Sequence, residues 1–157
     1  MDKMEMLQNM AERIQANDSL AIRKLQGTFS FVDGEPVASE IVDLNKMEGL
    51  PEMPKGKMTA LELLIASAGN CYATTLHKNA FVNKIPLNKV NIQVIGKFDQ
   101  RRFFGLSNNS PGMIEPEIVL SVESPAKTET IENIAKISLT QSPVLMSLNQ
   151  KVSLQIQ

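Results

Sequence analysis

The stretch from Met58 to Ala80, MTALELLIASAGNCYATTLHKNA, constrains the fold of this chain more than any other. It opens on Thr59-Ala60-Leu61-Glu62, a T-x-x-E capping box in which the Thr59 hydroxyl and the Glu62 carboxylate each satisfy a free backbone N–H. The pattern predicts a helix from Ala60. Leu61, Ile65, Ala68, Tyr72 and Leu76 recur at spacings of three and four, and Leu64, Ala68, Cys71 and Thr75 form a second row beside them. So broad an apolar face predicts burial on more than one side. The run Ala66-Ser67-Ala68-Gly69-Asn70-Cys71 is almost all small side chains, and glycine in mid-helix costs about 1 kcal/mol relative to alanine. The packing reason expected for it is close approach of another backbone.

Cys71 is the only cysteine of the chain. From the residues alone it has two readings, a small apolar side chain in a packed face or a reactive thiol. Reactivity needs thiolate, and an unperturbed cysteine with a pKa of about 8.5 is only a few per cent ionised at neutral pH, so a nearby cation or donor is required. Cys71 lies three turns inside the predicted helix, too far for the helix N-terminus to help.

With 157 residues the expectation is one domain, an amphipathic helix over 1–17 followed by a core over 20–157. The core must come from aliphatic residues, nine Met and six Phe, since there is no Trp and one Tyr. A lone cysteine excludes an intrachain disulfide, no apolar run has the length of a membrane span, and Met1-Asp2-Lys3-Met4-Glu5 lacks the pattern of a signal peptide. These features predict a soluble protein in a reducing, cytoplasmic setting, with no membrane partner. The net charge of -1 and basic clusters no larger than Arg101-Arg102 argue against nucleic acid. Gly-rich phosphate loops and metal-spaced carboxylates are absent from the sequence, so neither cofactor nor metal is expected.

In order, Met4, Leu7, Met10, Ala11 and Ile14 share one helical face, and Asn17-Asp18-Ser19 breaks it. Leu20 to Val32 reads as a strand, Asp33-Gly34-Glu35-Pro36 as a turn and Val37 to Leu44 as the returning strand. Asn45 to Lys57 reads as a loop into the long helix. Val90, Ile92 and Val94 alternate in a further strand that pairs as a hairpin with the strand carrying Ile118, Leu120 and Val122. Ser124-Pro125 or Thr128 starts a helix with Ile131, Ile134, Ala135 and Ser138 on its face. Ser142-Pro143 reads as an N-cap with proline at the first helical position, and Val152, Leu154 and Ile156 as the last strand. The fold class is α+β.

The capping box with Glu62, the small run into Gly69-Asn70-Cys71-Tyr72-Ala73 and the later Ser142-Pro143-Val144 together resemble the OsmC and Ohr family. These are the osmotically induced and organic hydroperoxide resistance proteins. The likeness extends through Leu87 to Val94, Phe98-Asp99-Gln100-Arg101, Gly105-Leu106 and Pro111-Gly112. It implies an intertwined homodimer in which antiparallel sheets wrap around paired long helices, with reactive sites at the subunit interface. In peroxidase members the cysteine matching Cys71 attacks the peroxide, assisted by an arginine of the first strands and a glutamate near the start of the long helix. Glu62 matches that glutamate, and it also reads as a simple capping acid. Arg23 is the best-placed arginine, with a solvated strand charge as the other reading.

Ser142 departs from the family pattern. Peroxidase members carry a second cysteine just before that Pro-Val, and a serine cannot close the disulfide. Oxidised Cys71 would then need an external thiol. His77, the only histidine, lies about 600° around the helix from Cys71, hence on another face, and reads as structural. Two functions follow: an organic hydroperoxide reductase with Cys71, Glu62 and Arg23 as catalytic residues, or a non-catalytic dimeric module that binds an apolar small molecule in its interface cleft.

Overall fold

The computed structural model describes residues 2–49, 53–148 and 150–157. Helix α1 (Lys3–Ala16) and a 3₁₀ turn (Asp18–Ala21) lead into the hairpin β1 (Ile22–Val32) and β2 (Glu35–Asp43). The long helix α2 spans Ala60–Val82. It is followed by β3 (Lys89–Asp99), β4 (Met113–Glu123), α3 (Thr128–Gln141), the short α4 (Pro143–Met146) and β5 (Ser153–Ile156). This is the expected α+β chain. Residues 50–52 of the loop expected between β2 and α2 lie outside the described residues.

The strands form one sheet in the order β2-β1-β3-β4-β5. The first three pairings are antiparallel, as expected, with β3 and β4 as the long hairpin. The last pairing, β4 with β5, is parallel, because α3 and α4 carry the chain back across the sheet before β5 begins. Two-residue periodicity puts Leu25, Phe29, Val90, Ile92, Val94, Ile118 and Leu120 into the core. The β1–β2 turn is tight because Asp33 and Gly34 both take positive φ, 50° and 83°, as a two-residue hairpin turn requires.

The helix α2 lies on this sheet. Its buried face is Ile65, Ala68, Gly69, Tyr72, Ala73, Thr75, Leu76, Asn79 and Ala80, which extends the apolar rows read from the sequence around more than one side. The capping box forms as predicted: Thr59 Oγ1 accepts from the Glu62 N–H at 3.2 Å, and the Glu62 carboxylate accepts from the Thr59 N–H at 2.7 Å. On its other flank α2 meets α3, where the buried Tyr72 hydroxyl donates to the Ala135 carbonyl at 3.0 Å. Burial pushes the Tyr72 phenol well above its ordinary range.

Gly69 has a packing reason other than the one expected. A Cβ at this position would collide with the Phe29 ring of β1, so the space is filled within the chain by an aromatic side chain rather than by a second backbone. Gly27 complements it, since a Cβ there would sit 2.7 Å from Ile65 Cγ2 and 2.8 Å from Phe29 Cε2. Two glycines, one on the strand and one on the helix, thus make the slot for a single ring. Gly69→Ala should cost about 1–3 kcal/mol through overpacking, read as a lower midpoint in urea unfolding. Adding Phe29→Leu should recover part of the loss, and an unchanged midpoint in Gly69→Ala would show that the ring is free to move aside.

Candidate functional site

Cys71 sits half-buried on α2 with a free thiol. Its row on the helix is Leu64, Ala68 and Thr75, and the Thr75 hydroxyl donates to the Cys71 carbonyl at 2.8 Å. Among the described residues no hydrogen bond or ion pair reaches the Cys71 sulfur. A reactive thiol needs help of that kind, so the position of each proposed helper matters.

Glu62 lies nine residues before Cys71, roughly 13 Å along the helix axis, and its carboxylate is engaged in the capping box. Arg23 is on β1, where its Nε and Nη2 donate to Asp43 Oδ2 at 3.0 and 2.7 Å across the hairpin. Its partner is therefore Asp43, and not Glu62. The packing of β1 on α2 also fixes how far Arg23 is from the thiol. Gly27 lies at Ile65, Phe29 at Gly69 and Phe31 at His77, so strand and helix advance in the same direction. Arg23 is four residues before Gly27, and Cys71 is six residues after Ile65. At about 3.3 Å per strand residue and 1.5 Å per helix residue they are on the order of 20 Å apart. Within one chain the structure does not bring Cys71, Glu62 and Arg23 together.

Ser142 precedes α4, at the N-cap position read from the sequence, but its hydroxyl makes no cap bond. It is fully buried and donates to the Ser138 carbonyl at 2.8 Å. Ser138 in turn belongs to a polar joint between α2 and α3 in which Asn79 Nδ2 donates to Ser138 Oγ and to Gln141 Oε1, both at 2.9 Å. Ser142 thus carries a structural hydrogen bond. His77 is half-buried with its Nδ1 2.7 Å from the Ala73 carbonyl and its ring centroid 5.1 Å from that of Phe31. Its Nε2 is buried without a hydrogen-bond partner.

Beside β2 runs an open groove of about 340 Å³, lined by Phe29, Phe31, Pro36, Val37, Ala38, Ser39 and Asn70. Phe29 and Phe31 give it its aromatic surface. Among the described residues no group of His, Cys, Asp and Glu is placed to hold a metal ion.

A model of the family described as OsmC-like protein matches residues 53–157. The chain belongs to the OsmC-like family. The matched region contains Glu62, Cys71 and Ser142 and leaves out α1, β1 and β2, and with them Arg23. Two solved structures agree in fold. An OsmC-like hydroperoxide resistance protein from Jannaschia sp. CCS1 is 15% identical, with 83% of this chain and 88% of that one covered at a TM-score of 0.51. An OsmC-like protein from Mycoplasma pneumoniae is 17% identical, with 83% and 94% covered at a TM-score of 0.53. No curated protein matches the chain.

A second ionic constellation was not singled out from the sequence as a site. Asp99, buried at the end of β3, accepts from Arg101 Nη2 at 2.6 Å, from Arg101 Nε at 3.0 Å and from Asn109 Nδ2 at 3.2 Å. Arg101 also reaches Asp18 at 3.8 Å, so this OsmC-like domain ties its β3–β4 loop to the turn that follows α1. The inward positions of β3 are Val90, Ile92, Val94 and Phe98, so the alternation puts Asp99 outside, and its burial at the strand end left no signal in the period. The Arg101 hydrogen bonds hold the Asp99 carboxyl at about 2, against burial, which acts the other way. Because this folded value lies below the ordinary 3.8, the stabilisation is complete above that value and is lost as pH falls through about 2. Asp99→Asn should therefore lower stability at pH 7 more than at pH 2, seen as a gap between the two urea midpoints that closes on acidification.

Proposed function

We propose that this OsmC-like chain is a thiol protein that reduces organic hydroperoxides through Cys71 and is restored by an external thiol. The observation that carries the reading is a free, half-buried thiol on the long helix of an OsmC-like fold. The resemblance of the Jannaschia protein, whose description is hydroperoxide resistance, points the same way. The chemistry is attack of the thiolate sulfur on a peroxide oxygen. The O–O bond breaks, the departing alkoxide takes a proton to become an alcohol, and Cys71 is left as sulfenic acid. A first external thiol condenses with the sulfenic acid, releasing water and forming a mixed disulfide. A second thiolate attacks that disulfide, frees Cys71 and leaves the reductant oxidised.

With Ser142 in place of a second cysteine the reductant must come from outside, which is why we place the protein in a reducing, cytoplasmic setting. We further propose that it works as a homodimer. Glu62 and Arg23 remain the candidates for assisting Cys71, and for Arg23 this requires release from Asp43 or delivery by a second copy.

The second reading is a dimeric module that holds an apolar small molecule without redox turnover. It is favoured by the engagement of Glu62 and Arg23 elsewhere and by the aromatic groove beside β2. Intact-mass measurement after brief exposure to an organic hydroperoxide, with a sulfenic-acid trap present, separates the two. The reductase should gain one trap adduct at Cys71 within seconds and none in Cys71→Ser; a wild-type mass unchanged after minutes favours the binding module. Glu62→Gln keeps a carbonyl acceptor for the Thr59 N–H while removing the charge. If Glu62 serves the thiol, adduct formation should slow at least tenfold with the unfolding midpoint nearly unchanged. Parallel losses of rate and midpoint would leave it as a cap alone.

A further inference from the structure

The turn that follows β3 presents an aromatic side chain to water on a scaffold that holds it still. Residues 100–106 wind into a single turn in which the Phe104 N–H donates to the Gln100 carbonyl at 3.2 Å, Gly105 to Arg102 at 3.0 Å and Leu106 to Arg101 at 2.8 Å. The last two bonds are the pair that closes a helical turn on a left-handed residue, and Gly105 supplies that residue with a φ of 71°. Arg101 pins the turn to Asp99 and Asp18, and Asn109 Nδ2 donates back to Asp99 at 3.2 Å from the far side of the loop. Phe104 points inward and packs against the small cluster of Ile14, Ala21 and Met47. Phe103 points outward. It is 66% exposed and meets the Phe104 ring edge to face, with centroids 5.0 Å apart and planes at 83°. Leu106, three residues on, is 37% exposed.

A lone exposed apolar residue on a protein surface calls for no explanation. Here, however, the inward place is taken by Phe104 and the turn is tied at both ends, so the Phe103 ring is held out in water. Charge decides what such a ring can meet. The segment from Gln100 to Gly112 holds two arginines and no acid, in a chain whose net charge is -1. Arg101 is answered by Asp99 and Asp18. Arg102 is exposed, and its one bond, Nη1 to Asn108 Oδ1 at 3.5 Å, goes to a neutral amide. An unanswered positive charge therefore stands beside the exposed ring. Aromatic rings settle at the headgroup level of a bilayer, and a guanidinium matches phosphate, so an anionic lipid surface complements both groups at once.

We propose that this turn docks the protein on an anionic phospholipid surface, with Phe103 and Leu106 entering the headgroup layer and Arg102 meeting lipid phosphate. No spanning segment is involved, and among the described residues no helix is long and apolar enough to cross a membrane. The expectation of no membrane partner, drawn from the lack of a spanning run, does not reach a contact made by a single turn. Two apolar side chains and one charge make a weak, reversible attachment. The proposal goes beyond the hydroperoxide reading and does not rest on it.

Vesicle flotation of the full chain tests this, with phosphatidylglycerol mixed into phosphatidylcholine in one series and phosphatidylcholine alone in the other. Wild type should float with the mixed vesicles, and its binding should fall roughly fivefold on neutral vesicles or in high salt. Phe103→Ser and Arg102→Gln should each weaken binding to the mixed vesicles by roughly fivefold with the circular dichroism spectrum unchanged. Ile137→Ser and Lys136→Gln, both at exposed positions of α3, should leave it as it is. Because the chain has no Trp, Phe103→Trp supplies a single reporter whose emission should move to the blue on mixed vesicles. Wild type that floats with neither vesicle overturns the proposal, and equal binding to both overturns its anionic requirement. Flotation that Phe103→Ser and Arg102→Gln leave unchanged puts the lipid contact elsewhere and overturns the surface. An emission change produced by single-stranded DNA and not by vesicles assigns the turn to nucleic acid and equally overturns it. None of these outcomes touches the hydroperoxide reading, since flotation does not involve Cys71.

Discussion

The seating of the Phe29 ring between Gly27 and Gly69 is the contact on which the architecture depends. It seats the middle of α2 on the middle of β1 through this one ring, with the two glycines supplying its room, and Ile65, Tyr72 and Leu76 are buried around it. From there Tyr72 meets α3, and Asn79 meets Ser138 and Gln141 at the next turns. The Tyr72–Ala135 and Asn79–Ser138 hydrogen bonds between α2 and α3 are buried, and losing either leaves an unsatisfied group rather than a mere gap. A single aromatic ring on one face of α2 thus determines the hydrogen-bonding register on the other.

Much of this order is legible in the amino-acid sequence because it is periodic. The capping box at Thr59, the alternation in Val90-Ile92-Val94 and the Asp33-Gly34 turn each arise from local chemistry and appear where local chemistry puts them. What escapes is set by partners distant along the chain. The small run from Ala66 to Cys71 announces close approach but does not name the neighbour, and Phe29 lies forty residues away. The parallel placement of β5 depends on how α3 and α4 cross the sheet, which has no period of its own.

The candidate site divides in the same way. Cys71 and Glu62 are recognisable because helix spacing and a capping motif carry them, and both belong to the region matched by the OsmC-like family. Arg23 lies outside that region, and in the fold its charge is answered by Asp43 on the neighbouring strand. Ser142 carries a buried hydroxyl that bonds the Ser138 carbonyl at the end of α3, a role that its N-cap pattern in the sequence did not disclose. Asp99 is hidden from the period altogether: the alternation of β3 assigns it to the outer face, and its burial and its partner Arg101 become visible only when the loop is folded.

The parallel pairing of β4 with β5 bears on the order in which a growing chain can close. Hairpins such as β1–β2 and β3–β4 can zip as soon as their second strand has emerged, since their contacts are near in sequence. The β4–β5 edge cannot, because residues 124–152 must first be made and laid across the sheet. Until then the flank of α2 that carries Tyr72 and Asn79 has no cover, and the outer edge of β4 is unpaired. A ribosome paused within that interval therefore holds a nearly complete sheet with one sticky edge and one bare helix flank, the state in which such a chain most needs a chaperone.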